Sequence, residues 1–85
     1  MKQVWLITVR SVTFGQKGER ALKRKGILCS LQRTPKGLSN RGCSYGLRVP
    51  ISDGPIAMTV LEQAGIPYEN IFVSTPDGTW EAQKP

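Results

Sequence analysis

A cysteine at the end of a basic, glycine-containing loop is the residue best suited to chemistry in this sequence. Cys43 follows a stretch of Pro, Gly, Ser and Asn that also carries Lys36 and Arg41, and it precedes an alternating strand. Nearby cations favour the nucleophilic thiolate by lowering the pKa of a thiol. The loop therefore predicts a reactive cysteine, although the same residue types also fit an ordinary hairpin whose cysteine has no function.

The rest of the chain offers little support for a self-sufficient enzyme. There is no histidine, so the usual general base and any Cys–His pair are missing. Cys29 lies between Ile27 and Leu31 on the apolar side of an alternating stretch. This position favours a small buried hydrophobic residue. Two separated cysteines cannot complete a tetrahedral metal site, and the acidic residues are scattered. We expect no metal and no cofactor, and a thiol that accepts and passes on a group without a general base.

Charge is distributed unevenly along the 85 residues, whose net charge is +6. Residues 1–48 hold eleven of the twelve Lys and Arg residues and a single acid, Glu19. Such asymmetry predicts a basic face for an anion, an acidic protein or nucleic acid, although it also fits a solvated surface. No apolar run is long enough to cross a bilayer, and the first residues do not resemble a secretion signal. We therefore expect a cytoplasmic protein with free thiols.

The elements that must position Cys43 follow from hydrophobic periodicity. A continuous apolar run at residues 3–9 is typical of a central strand. The hydroxyl residues Ser11 and Thr13, in the segment 11–13, precede a helical stripe that ends at Gly26. Alternating stretches at 27–33 and 44–51, a capped and Pro-started helix at 52–64, and an apolar run at 70–74 complete the pattern. Residues 76–85 are polar and are expected to form a tail after a single domain at residues 1–75.

This order, β-α-β-β-α-β, predicts an α+β protein of the ferredoxin-like sandwich type. Its four-stranded antiparallel sheet would carry two helices on one face. Apolar side chains on the open face would then favour a homodimer. The second strand would run parallel to the first, so both would end at the edge where the first helix begins. The loop would thus lie near Ser11 and Thr13, whose helix N-terminus favours a thiolate at Cys43.

The same residues resemble a family of small bacterial proteins described as selenium/sulfur carrier-like. In that family a Thr-Pro-basic-x-Leu-Ser loop leads to a Cys-Gly pair and a strand with a basic residue. The matching residues here are 34–39, Cys43 and 47–49, and the similarity covers roughly residues 3–75. The sequence departs from the family where Ser44 replaces the glycine after the cysteine, and where Gly46 replaces a small alanine-like residue.

The resemblance implies a carrier that holds sulfur or selenium as a persulfide or selenosulfide on Cys43. A donor enzyme would load the thiol and an acceptor protein would unload it. On this interpretation one set of residues stabilises the thiolate: Arg41, Lys36, Arg48, Ser11 and Thr13. A second set shapes the loop: Thr34, Pro35, Ser39, Gly42 and Gly46.

Two other classes of function remain open from the sequence. The basic first half and an open sheet face would suit a nucleic-acid-binding module, although Trp5 and Tyr45 are the only aromatic residues in the first and third strands. Alternatively, the chain is an oligomerising interaction domain in which Cys43 is incidental.

Overall fold

A computed structural model describes residues 3–34 and 45–83, with only the backbone of Gln83. These residues form two helices and one five-stranded antiparallel sheet in the order β2-β3-β1-β4-β5. The elements are β1 (Val4–Val9), α1 (Val12–Arg24), β2 (Ser30–Arg33), β3 (Tyr45–Pro50), α2 (Gly54–Gln63), β4 (Ile71–Ser74) and β5 (Trp80–Gln83). A short 3-10 turn, Ile51–Asp53, leads into α2.

β1 is the central strand, as its continuous apolar run predicts. It pairs with β3 along its whole length, from Val4 opposite Pro50 to Val9 opposite Tyr45, and with β4 on its other side. Leu6, Ile7 and Val9 are completely buried. A strand with partners on both sides and apolar residues on both faces has no free edge, so its position in the sheet is strongly specified.

The core lies between the sheet and the helices. Ile7 and Leu47 from the sheet form one cluster with Leu22 of α1 and Leu61 of α2. The two helices contact each other, and both contact β3, so they cover the same face of the sheet. This arrangement places two amphipathic helices over one sheet face, which is the layer packing that the periodicity predicts.

α1 begins at one of the residues predicted to cap it. Ser11 has an extended backbone, and its hydroxyl accepts a hydrogen bond of 3.3 Å from the Phe14 amide. This bond satisfies one of the amides that a helix start leaves free. The helix ends at Arg24, and Gly26 follows with a positive φ of 79°, a conformation that favours glycine at this point.

The face opposite the helices is less apolar at its surface than expected. Leu6 and Phe72 lie opposite each other in the register of β1 and β4, yet they are only 0% and 9% exposed. A side chain at Gly46 would collide with Leu6, since its Cβ would lie 2.5 Å from Leu6 Cδ1. Because a single chain already buries these side chains, they give no support to the predicted homodimer, which stays a prediction.

Two expectations about the strands need correction. The sheet has five strands rather than four, because residues 80–83 of the expected tail pair with β4, with Trp80 opposite Ser74. β1 to β4 have the strand order of a ferredoxin-like sandwich, and β5 is an additional strand at the edge. The predicted fold is therefore only roughly correct. The second strand begins at Ser30 and not at Ile27, since residues 27–29 have no ladder partner.

The start of α2 provides a test of packing against helix propensity. Gly54 has helical backbone angles, so alanine would be allowed there and would gain up to about 1 kcal/mol of propensity. Its Cβ, however, would lie 2.5–2.8 Å from three ring atoms of Trp5. Because overpacking costs about 1–3 kcal/mol, we expect Gly54→Ala to lower the free energy of unfolding in urea titrations.

Trp5→Leu provides the control for this prediction. In that background the ring is gone, and Gly54→Ala should no longer destabilise the protein. An equal loss in both backgrounds would contradict the proposed contact.

Candidate functional site

The described ends of the cysteine-containing loop lie where topology predicts them. Arg33 and Val9 both pair with Tyr45, one from each side of β3. β1 and β2 therefore end at the same edge of the sheet, and Ser11 caps α1 two residues beyond Val9. The chain thus enters and leaves the loop close to the amino-terminal end of α1.

The predicted loop covers residues 34–43, of which the structure describes only Thr34. The predicted residues that lie outside the described part of the chain are Pro35, Lys36, Ser39, Arg41, Gly42 and Cys43.

The two hydroxyl residues predicted at the start of α1 have different environments. Ser11 is half-buried and acts as the helix cap. Thr13 is exposed in the first turn of the helix. The amides of this first turn supply partial positive charge, which favours a negative group placed near them.

Thr34 and Gly46, which flank the predicted loop, also have different environments. The hydroxyl of Thr34 is buried and has no hydrogen-bond partner among the described residues. Gly46 lies inside β3, where its missing side chain leaves space for Leu6. In the structure Gly46 thus makes room for a side chain of β1, and its role in shaping the loop stays a prediction.

Arg48 lies further from the loop than its sequence position suggests. It is exposed in β3 opposite Leu6, three residues beyond Tyr45, or roughly 10 Å along the strand. With Gln3 and Val4 it lines a cavity towards the opposite edge of the sheet. Its proposed contribution to a thiolate at Cys43 would have to act over that separation.

The surroundings of Cys29 favour its neutral thiol. It is half-buried, and its thiol donates to the Glu19 carbonyl at 3.6 Å. Burial, and then the negative charge of Glu19, raise the pKa of Cys29 above its ordinary value, and Lys23 only partly opposes them. Since the thiolate is the reactive form, this environment suits a structural cysteine.

Glu19 is a residue that the sequence interpretation missed. Its carboxylate accepts a hydrogen bond of 3.2 Å from the Leu31 amide and pairs with Lys23 at 3.7 Å. It therefore joins α1 to β2, satisfying an amide on an edge strand. The available signal was its isolation as the one acid among the first 48 residues.

The described residues contain no cluster of three or more His, Cys, Asp or Glu side chains suited to a metal ion. In the same part of the chain, neither helix is long and apolar enough to cross a membrane.

The Cys29 environment predicts slow alkylation at neutral pH. In a Cys43→Ser protein, the rate of iodoacetamide labelling should rise only above the ordinary thiol pKa, because the neutral form is favoured below it. Glu19→Gln should move this rise to lower pH by removing a negative charge. Glu62→Gln, on the exposed surface of α2, is the matched control. A rise below the ordinary thiol pKa, or equal shifts in both variants, would contradict this account.

Comparison with known proteins adds one finding to this geometry. The family model described as putative Se/S carrier protein-like matches residues 4–73. No curated protein matches the chain. The matched range includes the central strand, both helices, the loop and both cysteines. The chain belongs to the Se/S carrier protein-like family.

Proposed function

We propose that this protein is a non-enzymatic carrier that holds sulfane sulfur or selenium on the thiol of Cys43. The observation that carries the proposal is the family match over residues 4–73, which includes this cysteine. A carrier needs an accessible thiolate and partner proteins, and it needs no general base of its own.

The environment of Cys29 and the sequence position of Cys43 support the choice of Cys43. Cys29 is half-buried, hydrogen-bonded and has a raised pKa. Cys43 is two residues from Tyr45, so covalent geometry keeps it within about 7 Å of that Cα atom. Tyr45 pairs with Val9 at the edge where Ser11 caps α1. Amides of the helix start, with Arg41 and Lys36 nearby in sequence, would favour a thiolate.

The transfer is a thiol exchange with a persulfide donor. The Cys43 thiolate attacks the terminal sulfur of a donor persulfide, forming a new S–S bond. The donor's S–S bond breaks, and the donor leaves as a thiolate. Cys43 then carries a persulfide, which an acceptor nucleophile attacks in the reverse sense. A selenosulfide would follow the same balance with selenium as the transferred atom.

This role requires a donor enzyme and an acceptor protein, and a reducing compartment such as the cytoplasm to keep the resting thiol free. Arg48 would then act on an approaching partner rather than on the thiolate directly, because it lies towards the far edge of the sheet.

Mass spectrometry tests the relay. The protein is incubated with a cysteine desulfurase and cysteine, and we expect one added sulfur atom on the peptide that contains Cys43. Cys29→Ser should keep this adduct, and Cys43→Ser should lose it. With a donor that loads another known acceptor, an absent adduct or one confined to Cys29 would overturn the proposal.

Nucleic-acid binding is a second candidate, favoured by the charge on α1. Lys17, Arg20 and Arg24 recur at spacings of three and four residues and line one shallow depression with the end of α2. Such a row of cations along one helix face suits phosphates of a polyanion.

Salt dependence distinguishes this candidate. If α1 binds phosphates, the affinity for a random single-stranded oligonucleotide should fall as salt rises, and Arg20→Gln should reduce the slope of log K against log salt by about 0.7. Arg33→Gln removes the same charge from β2 and should leave the slope unchanged. The absence of binding at low salt, or equal effects of the two variants, would exclude α1 as the binding face.

A further inference from the structure

We infer that the sheet face opposite the helices carries a nucleotide-binding cavity between Arg48 and Trp80. The cavity has a volume of about 530 Å³. This lies within the roughly 300–1,000 Å³ typical of small-ligand sites. Its lining consists of Gln3, Val4, Arg48, Ser74, Thr75, Pro76, Gly78 and Trp80.

The register explains why a cavity forms here. Val4 and Ser74 lie side by side on the neighbouring strands β1 and β4, joined by a 2.9 Å hydrogen bond from the Val4 amide to Ser74 Oγ. Trp80 lies opposite Ser74 on β5, and Arg48 lies on β3 beyond β1. Two small side chains therefore form the floor between two long ones, so the face is concave instead of flat.

The lining changes in character from one wall to the other. Arg48 provides a cation with several donors, which suits a phosphate. Ser74 provides a hydroxyl: its oxygen accepts from the Val4 amide, and its hydrogen has no acceptor among the described residues. The Thr75 hydroxyl already donates to Asp77 within its own turn. Trp80 provides a half-buried indole ring, which suits stacking by a flat base. The cation of Arg48, the hydroxyl of Ser74 and the ring of Trp80 follow the order phosphate, sugar and base in a nucleotide.

The dimensions agree with that order. β3 and β5 are three strand spacings apart, or about 14 Å between backbones. The long side chains of Arg48 and Trp80 narrow this separation. A ligand that contacts both must therefore be elongated, with its ring and its anion at opposite ends.

The charge around the cavity favours an anion. No carboxylate is among its described lining residues, and Arg48 forms no ion pair with a carboxylate in residues 3–34 and 45–83. The nearby Asp77 accepts hydrogen bonds from Thr75 and from the amide and hydroxyl of Thr79, at 3.2 and 2.9 Å for the latter two. This carboxylate is thus occupied in ordering the turn that leads to Trp80.

Part of the cavity lies outside the family match, unlike the proposed carrier cysteine. Ser74, Thr75 and Trp80 all follow residue 73, where the family match ends, whereas Val4 and Arg48 lie within it. The β4–β5 hairpin thus adds a wall to a sheet face that the family core supplies. The inference does not depend on Cys43, and Cys43→Ser should leave nucleotide binding unchanged.

NMR titration of the ¹⁵N-labelled chain with adenosine 5′-monophosphate tests the inference. We expect shifts at the Trp80 indole N–H and at the Arg48 backbone amide. Trp80→Ala should weaken binding roughly tenfold through lost stacking, whereas Trp80→Phe should retain most of it. Arg48→Gln should weaken binding about tenfold or more, because it removes a charged donor.

Arg10→Gln is the matched control, since it removes an equal charge from an exposed residue outside the cavity. Adenosine and inorganic phosphate, each with one half of the ligand's chemistry, should bind more weakly than the nucleotide. The inference fails if the nucleotide causes no shift at Trp80 up to about 10 mM, well above a millimolar Kd. It also fails if Arg10→Gln weakens binding as much as Arg48→Gln in correctly folded protein.

A base with a phosphate occurs both in free nucleotides and in single-stranded nucleic acid. Single-stranded oligo(dA) separates the two sources. Tighter binding than the mononucleotide, weakened by both Trp80→Ala and Arg48→Gln, would identify a single strand as the ligand. Equal or weaker binding, with the mononucleotide still dependent on both residues, would identify a free nucleotide.

Discussion

The pairing of β1 with strands on both of its sides is the constraint on which the structure depends. Its side chains are buried towards the helices and towards the opposite face, so β1 cannot shift by one residue without exchanging the two environments. The side chain of Thr8 also connects β1 to the residue that precedes β4. Its hydroxyl accepts from the Asn70 amide and donates to the Asn70 carbonyl, at 2.9 and 3.3 Å, so a buried polar group is satisfied where β4 begins.

Because β1 is central, its two ends lie at the two regions for which functions are proposed. At its carboxyl end, Val9 and Tyr45 bring the borders of the cysteine loop to the start of α1. Towards its amino end, Val4 forms the floor of the cavity between Arg48 and Trp80. A relay through Cys43 and recognition of a nucleotide would therefore use opposite ends of β1.

Cys29 illustrates how the surroundings of a cysteine suit it to a structural role. The apolar alternation around Cys29 predicts a buried side chain. In the structure the thiol is half-buried and donates a hydrogen bond to a carbonyl of α1. The charge that further raises its pKa comes from Glu19, ten residues earlier. No spacing rule relates those two residues, because their approach depends on how α1 crosses β2. The same crossing allows Glu19 to bind the amide of Leu31.

The sequence by itself determined the order of β1 to β4 with the two helices, the central position of β1 and a helix cap within residues 11–13, because these depend on local periodicity and on neighbouring residues. The family resemblance likewise rested on residues close together in the chain. Only the tertiary structure decided that residues 80–83 form a fifth strand, since a short polar segment becomes a strand when a partner edge satisfies its backbone. It also decided that Gly46 leaves space for the side chain of Leu6, and that Arg48 and Trp80 line the same cavity. Those contacts join residues distant in sequence, and only the register of the sheet brings them together.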